Sequence, residues 1–375
     1  MPHDDRTELL YRIALTMAPA IGPVNARKLI KKAGSASAVF RQKKAILEKI
    51  EGIGPFVSGS ISSASLLPRA EKEMAFLERH HISALYYKDP AYPYRLKECD
   101  DSPILLYSRG SEGLNTKKAL SVVGTRKASS YGKELCRNIV LDLSSRINEL
   151  SIISGLAFGI DVIAHRAALE AGIPTVAVLG HGLTSLYPHA HRETARKISR
   201  QGALVTDFHS GLGPERNNFL RRNRIIAGMS DATLVVESAA TGGALITANM
   251  ASSYQRDVLA VPGRATDERS KGCNGLIKNN VAAMVESAKD VIHHLNWTED
   301  IASNTNPNSE LNSYTEQEKL LLELMAGHNG LRPEELSSFS DIPIPTILSL
   351  LTQMELKRWV RAEPGNLYQT MVKIS

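Results

Sequence analysis

The sequence predicts an α/β protein: a parallel sheet covered by helices, with a small helical domain before it and another after it. Three observations carry this. From residue 119 to about 295, short β-branched runs alternate with segments of helical period, the pattern of strands joined by crossover helices. Residues 1–68 instead repeat apolar side chains at helical spacing. Residues 298–313, rich in Asn, Ser and Thr and broken by Pro307, read as a linker before a last domain at 314–375.

At 375 residues, 43% hydrophobic and 22% charged, the chain can bury a sizeable core in more than one domain. It has no 18-residue apolar run, and its first residues lack the basic-then-apolar order of a signal peptide, so a cytoplasmic protein without membrane contact is expected. Cys99, Cys136 and Cys273 are far apart and odd in number, which argues against a disulfide framework or a zinc cluster. The net charge of +6 is unevenly spread: residues 1–68 carry ten Lys and Arg against five Asp and Glu, residues 311–375 only six against eight. An anionic partner is therefore drawn least to the last domain.

In the first domain, Leu9, Leu10, Ile13, Ala14 and Met17, then Ala26, Leu29 and Ile30, mark two amphipathic helices. Two similar turns, Ala20-Ile-Gly-Pro-Val and Glu51-Gly-Ile-Gly-Pro-Phe, place Pro23 and Pro55 where a first helical turn favours proline. The pair resembles a helix-hairpin-helix (SAM-like) domain, which implies phosphate binding at the turns, with Arg27, Lys28, Lys31 and Lys32 close behind. Two capped turns in a small bundle explain the same residues equally well. Residues 69–118 are expected to be a connector: one helix over 69–80, then loops forced by Pro90 and Pro93.

The third part, 119–297, reads as a Rossmann-like domain with strands at 120–123, 151–153, 175–179, 203–206, 233–236 and 258–261. Four of them end in turns able to receive an anion: Gly124-Thr-Arg-Lys-Ala-Ser-Ser-Tyr-Gly132, Ser154-Gly-Leu-Ala-Phe-Gly-Ile-Asp161, Gly180-His-Gly182, and Glu237-Ser-Ala-Ala-Thr-Gly-Gly-Ala244. In an open parallel sheet these turns line one crevice, where glycine lets backbone approach a phosphate and helix N-termini add positive charge. Candidate phosphate-binding residues are Gly124, Thr125, Arg126, Ser129, Gly155, Gly159, Gly242 and Gly243. None of the turns is the dinucleotide pattern GxGxxG with a following acidic residue, so no cofactor is expected. The string from Arg216 to Arg224 adds cations at the start of a helix, where they oppose its dipole by about 0.3–1 kcal/mol each unless an anion compensates. Arg221, Arg222, Asn223 and Arg224 are candidate strand contacts, and Phe219 is a candidate stacking surface for a base. Pairing of these arginines with Glu215 and Asp207 is the alternative.

The final domain has helical patterns near 316–325, 333–339 and 344–356 and a hairpin from Trp359, the order of a winged helix. Its negative balance, and the absence of Lys and Arg from residues 344–355, make it a poor reader of duplex grooves and count against a double-stranded DNA-binding regulator.

Together the strings VVGTRKASSYG, SGLAFGIDVIAHRAAL, TVAVLGHGLTSLYP, FLRRNRIIAGMSDATLVVESAATGGALITANMA and VPG, spanning residues 120 to about 277, resemble the DNA-processing protein A (DprA/Smf) family. The resemblance implies single-stranded DNA binding and protection, loading of RecA recombinase on the strand during natural transformation, and a homodimer. It matches Arg126 to the family's phosphate-binding arginine and Arg222, Asn223 and Arg224 to its RNR string. Thr125 stands where serine is usual, and Thr206-Asp207 where Ser-Glu is common.

The competing class is a nucleotide-hydrolysing enzyme of the lysine-decarboxylase-like phosphoribohydrolase type. Its PGGxGTxxE string corresponds here to Ala240-Thr-Gly-Gly-Ala-Leu-Ile-Thr-Ala-Asn-Met, without the catalytic glutamate. Asp161 and His165 could share a helix face but lack a nucleophile, and Asp161 suits a helix cap. His189 and His191 have no third ligand at suitable spacing, and Asp207 and Glu237 are isolated carboxylates, so neither a metal site nor catalysis is expected.

Overall fold

A computed structural model describes residues 3–299, 315–326, 328, 330–356, 359–363 and 366–370. The chain divides into two units, Met1–Asp300 and Ile301–Ser375.

The first unit is built on a nine-stranded sheet: β1 (Ser83–Tyr86), β2 (Leu105–Gly110), β3 (Lys118–Val123), β4 (Leu150–Ser154), β5 (Thr175–Val178), β6 (Ala203–Thr206), β7 (Ala232–Val235), β8 (Asp257–Ala260) and β9 (Ala283–Met284). The order is β1-β2-β6-β5-β4-β3-β7-β8-β9, with β3 to β9 parallel and β1 and β2 added antiparallel at the β6 edge. The chain starts the parallel part at β3, runs outward to β6, then returns to β7 on the other side of β3. Loops leaving β3 and β7 therefore diverge, which opens the crevice of a doubly wound sheet. Every residue of β4, β5, β6 and β7 is buried, so these strands read as continuous apolar runs and not as alternation. Helices Arg216–Gly228 and Gly243–Ser253 cover one face through Ile225, Ile226, Ala248 and Ala251; helices Ser130–Arg146 and Ile160–Glu170 cover the other through Cys136, Val140 and Ala164.

Residues 69–118 are more than the expected connector. The helix expected at 69–80 forms as Leu66–Arg79, but β1 and β2 follow it, and the apolar run Ile104-Leu105-Leu106-Tyr107 inserts β2 beside β6. Tyr86, Leu105 and Tyr107 share one core with Ile13, Leu29 and Leu77, so the helical part packs directly on the sheet edge. Within that part the two Gly-Pro turns adopt the same backbone conformation: Gly22 has φ −79° and ψ 172°, Gly54 φ −85° and ψ 179°, each followed by proline in the first helical turn.

In the second unit, helices Glu316–Ala326, Pro333–Ser340 and Ile344–Leu356 precede a hairpin of β10 (Val360–Glu363) and β11 (Leu367–Thr370), with Leu331 bridged to Tyr368. This is the order of a winged helix, closed over Leu322, Met325, Leu336, Ile347 and Leu351. The linker expected at 298–313 lies outside the described residues apart from its first two.

Candidate nucleic-acid interface

The glycine turns at the carboxyl ends of the strands interlock. Gly159 has φ +79°, and a side chain there would overlap the carbonyl oxygen of Thr125; the Ile160 amide donates to that oxygen at 3.3 Å. Gly124 fits beneath Ile160 and the backbone of Glu237, to whose carbonyl the Thr125 amide donates at 2.7 Å. The turns after β3, β4 and β7 thus form one packed edge that leaves the exposed Arg126 projecting from it.

Beside this edge lies a pocket lined by Arg126, Phe158, Gly180, Tyr187, Phe219 and Arg222, among others. The Arg126 and Arg222 guanidinium carbons each lie 6.0 Å from the centre of the Phe219 ring, and the Tyr187 ring lies 5.8 Å away at a tilt of 50°. Phe219 approaches Gly180 so closely that a Cβ there would come within 2.7 Å of its ring. Two segments far apart in the sequence therefore converge here: the glycine turn carrying Arg126 and the Arg216–Arg224 string carrying Phe219 and Arg222. Phe158 and Tyr187 join them, 48% and 47% exposed; the sequence signals were an aromatic inside a glycine turn and one directly before Pro188.

Arg222 forms the floor. It is 5% exposed, donates from Nη1 to the Val178 carbonyl oxygen, and donates from Nε to Asn223 Oδ1 at 3.3 Å. Burial lowers its pKa to about 10, against the stabilising charge of Asp161. Asp161 is likewise buried, which raises its pKa, while Arg222 and the Ala157 amide, donating at 3.3 Å, act in the other direction. Gly155 makes room for both: a Cβ there would overlap the Asp161 carboxylate and the guanidinium. Asn223 carries the connection onward, donating from Nδ2 to the Gly243 carbonyl oxygen at 3.2 Å. Gly242 and Gly243, exposed at the start of the helix after β7, are thereby tied to the floor of the pocket.

The other residues singled out from sequence lie as follows. Arg224 does not line the pocket; its side chain is 8% exposed, and its guanidinium donates to the Asp207 carboxylate and, at 2.5 Å, to the Asp101 carbonyl oxygen. Its charge is already neutralised within the protein. Ser129 caps its helix, accepting from the Gly132 amide at 3.0 Å, and its own hydroxyl and amide donate to Glu237. Gly155 is buried and serves packing. Arg221 is exposed, with its guanidinium 5.2 Å from the Phe208 ring. Asp161 and His165 do not bond to each other. The His165 ring instead shares bonds with Thr175 Oγ1 at 2.7 Å and the Gly155 carbonyl oxygen at 2.5 Å, and burial lowers its pKa to about 4. His191 bonds to the Leu156 carbonyl oxygen at 2.8 Å and packs edge-on against Phe158. Among the described residues no group of three or more His, Cys, Asp or Glu side chains is arranged to hold a metal ion, and no helix is long and apolar enough to cross a membrane.

Comparison with known proteins agrees with this architecture. Residues 83–296 match the family described as DNA recombination-mediator protein A, a span that begins at β1 and includes the whole crevice. Protein Smf of Escherichia coli is 34% identical over 304 residues, covering 79% of each chain. The crystal structure of DNA processing protein A from Streptococcus pneumoniae superposes with a TM-score of 0.61 at 29% identity, covering 76% of this chain and 97% of that one. DNA processing protein A from Helicobacter pylori, whose structure concerns its single-stranded DNA binding mode, superposes with a TM-score of 0.52 at 26% identity, covering 57% and 95%. The chain belongs to the DprA/Smf family of DNA recombination-mediator proteins.

Proposed function

We propose that the pocket at the carboxyl ends of β3, β4 and β5 binds single-stranded DNA, and that the protein protects the strand and helps load RecA recombinase on it during natural transformation. The observation that carries this reading is the Phe219 ring flanked at 6.0 Å by both Arg126 and Arg222, with Tyr187 beside it. An aromatic platform bordered by cations suits an unpaired base and its phosphates, because every base has a face to stack while the arginines meet the backbone charge. A duplex hides those faces. The single-stranded DNA binding mode of the Helicobacter pylori relative supports the same ligand class.

The reading is one of binding without catalysis, cofactor or metal, by a homodimer in the cytoplasm. Asp161 and Glu237, carboxylates near the crevice, are both engaged by the protein's own donors. The test is a gel shift comparing single- and double-stranded oligonucleotides of one sequence, without nucleotide or metal ion. Preferential retardation of the single strand is expected; equal or stronger retardation of the duplex contradicts the assignment. The RecA step is read separately, as faster filament assembly on strands precoated with this protein.

A further inference from the structure

We propose that Glu237 is a built-in anion that occupies the place where a doubly wound sheet ordinarily receives a nucleotide phosphate, and that by doing so it positions the Arg126 turn. In such sheets the phosphate rests on the N-terminus of the helix that follows the strand at the switch point. Here that helix is Ser130–Arg146, directly after β3. Glu237, two residues beyond the end of β7, reaches it from across the switch point: Oε2 accepts from the Ser129 amide at 2.9 Å and Oε1 from the Ser129 hydroxyl at 2.5 Å.

Two further observations make this more than an ordinary cap. Glu237 is 6% exposed, yet among the described residues no Lys, Arg or His lies within ion-pair distance of its carboxylate. A buried carboxylate without a cation is costly, so the helix terminus and its two donors must supply the compensation that they would give a phosphate. In addition, Gly132, in the first turn of that helix, leaves the carboxylate its space; a Cβ there would come within 2.4 Å of it. The cradle is shaped for an anion and already holds one.

Two consequences follow. The innermost phosphate position is closed to a mononucleotide, so an anionic ligand is displaced outward to Arg126 and the neighbouring pocket. Glu237 also fixes the Arg126 turn at both ends, its backbone oxygen accepting from the Thr125 amide and its carboxylate holding Ser129. It is a positioning residue for Arg126. This second consequence rests on the single-stranded DNA reading, whereas the first does not.

The experiment is chemical rescue of full-length Glu237→Ala by formate, a carboxylate small enough to refill the cradle. Melting and oligonucleotide binding are followed in sodium formate and in sodium chloride of equal ionic strength. In chloride the variant should melt lower than the parent and bind the oligonucleotide on the order of tenfold more weakly, as expected for loss of a charge-assisted anchor. Formate should raise its melting temperature saturably and restore binding, while leaving the parent unchanged. An equal response of parent and variant to formate overturns the proposal. If Glu237→Ala does not fold in either salt, Glu237→Gln, which keeps the volume but not the charge, should show faster hydrogen exchange at the Ser129 amide. Exchange as slow as in the parent overturns the proposal. Formate rescue of melting in a protein whose parent fails to bind the oligonucleotide removes the DNA reading and leaves the anion cradle standing.

Discussion

Arg224 is ion-paired with Asp207, with side chains only 8% and 7% exposed, so this arginine of the Arg216–Arg224 string is buried, as Arg222 is. Removing the guanidinium leaves a buried carboxylate that already has one oxygen, Oδ1, without a partner. Arg224→Ala should therefore destabilise the protein by about 3–5 kcal/mol in urea denaturation. Under conditions where the variant remains folded, its oligonucleotide affinity should keep the parent's dependence on salt. A variant of parental stability with a shallower salt dependence would show that Arg224 meets DNA after all.

Gly180 faces the Phe219 ring at a distance that admits no side chain. Gly180→Ala should push the ring out of place and lose the stacking contribution of about 1–3 kcal/mol without removing any charge. Phe219→Ala should lose a similar amount, and the double variant little more than either, since both act on one contact. Additive losses in a fluorescence-anisotropy titration would mean that the ring does not carry the base contact.

His165 is neutral in the fold and has a pKa of about 4, against an ordinary 6.5. The unfolded chain binds the proton more readily, so the stability this residue helps maintain at neutral pH is lost as pH falls from about 6.5 toward 4. At about 1.4 kcal/mol per pH unit, the effect is on the order of 3 kcal/mol. Asp161, with its raised pKa, opposes it, because protonation favours the fold as pH falls. The contribution of His165 is isolated by comparison with His165→Asn. The stability advantage of the parent should be greatest near pH 7 and shrink on acidification; a constant advantage contradicts the assignment.

The six expected strands were legible because a parallel strand buried on both faces is an uninterrupted apolar run, and all six lie within a residue or two of their places. β1, β2 and β9 were missed. The two residues of β9 are too short to leave a pattern, and β1 and β2 sit amid the proline-containing loops that dominate residues 81–118. Within the site, Arg126 and Phe219 were legible by residue type and setting. The division of the arginines was not, although helical spacing held a clue: Arg222 stands three and four residues before the buried Ile225 and Ile226, on their side of the helix. Which carboxylate each buried arginine meets depends on Asp161 and Asp207, brought to the helix by strands that no local pattern relates to it.

The proposed strand-binding pocket is lined by residues between 126 and 222, in the first unit, and residues 311–375 carry an acidic balance. A chain ending at residue 299 should keep the parent's single-strand affinity within about threefold, a difference of well under 1.4 kcal/mol. Near-complete loss of binding by a folded chain of that length would relocate the interface to the second unit.

The central claim, that this crevice holds the phosphates of a single strand, is tested most directly at Arg126, which is exposed and has no protein carboxylate paired with it among the described residues. Binding of a single-stranded oligonucleotide is titrated over a range of salt concentrations for the parent and Arg126→Ala. The slope of log K against log salt should become shallower by about 0.7 for one lost phosphate contact, with stability within about 0.5 kcal/mol of the parent. A folded Arg126→Ala variant with the parent's affinity and the parent's slope would contradict it.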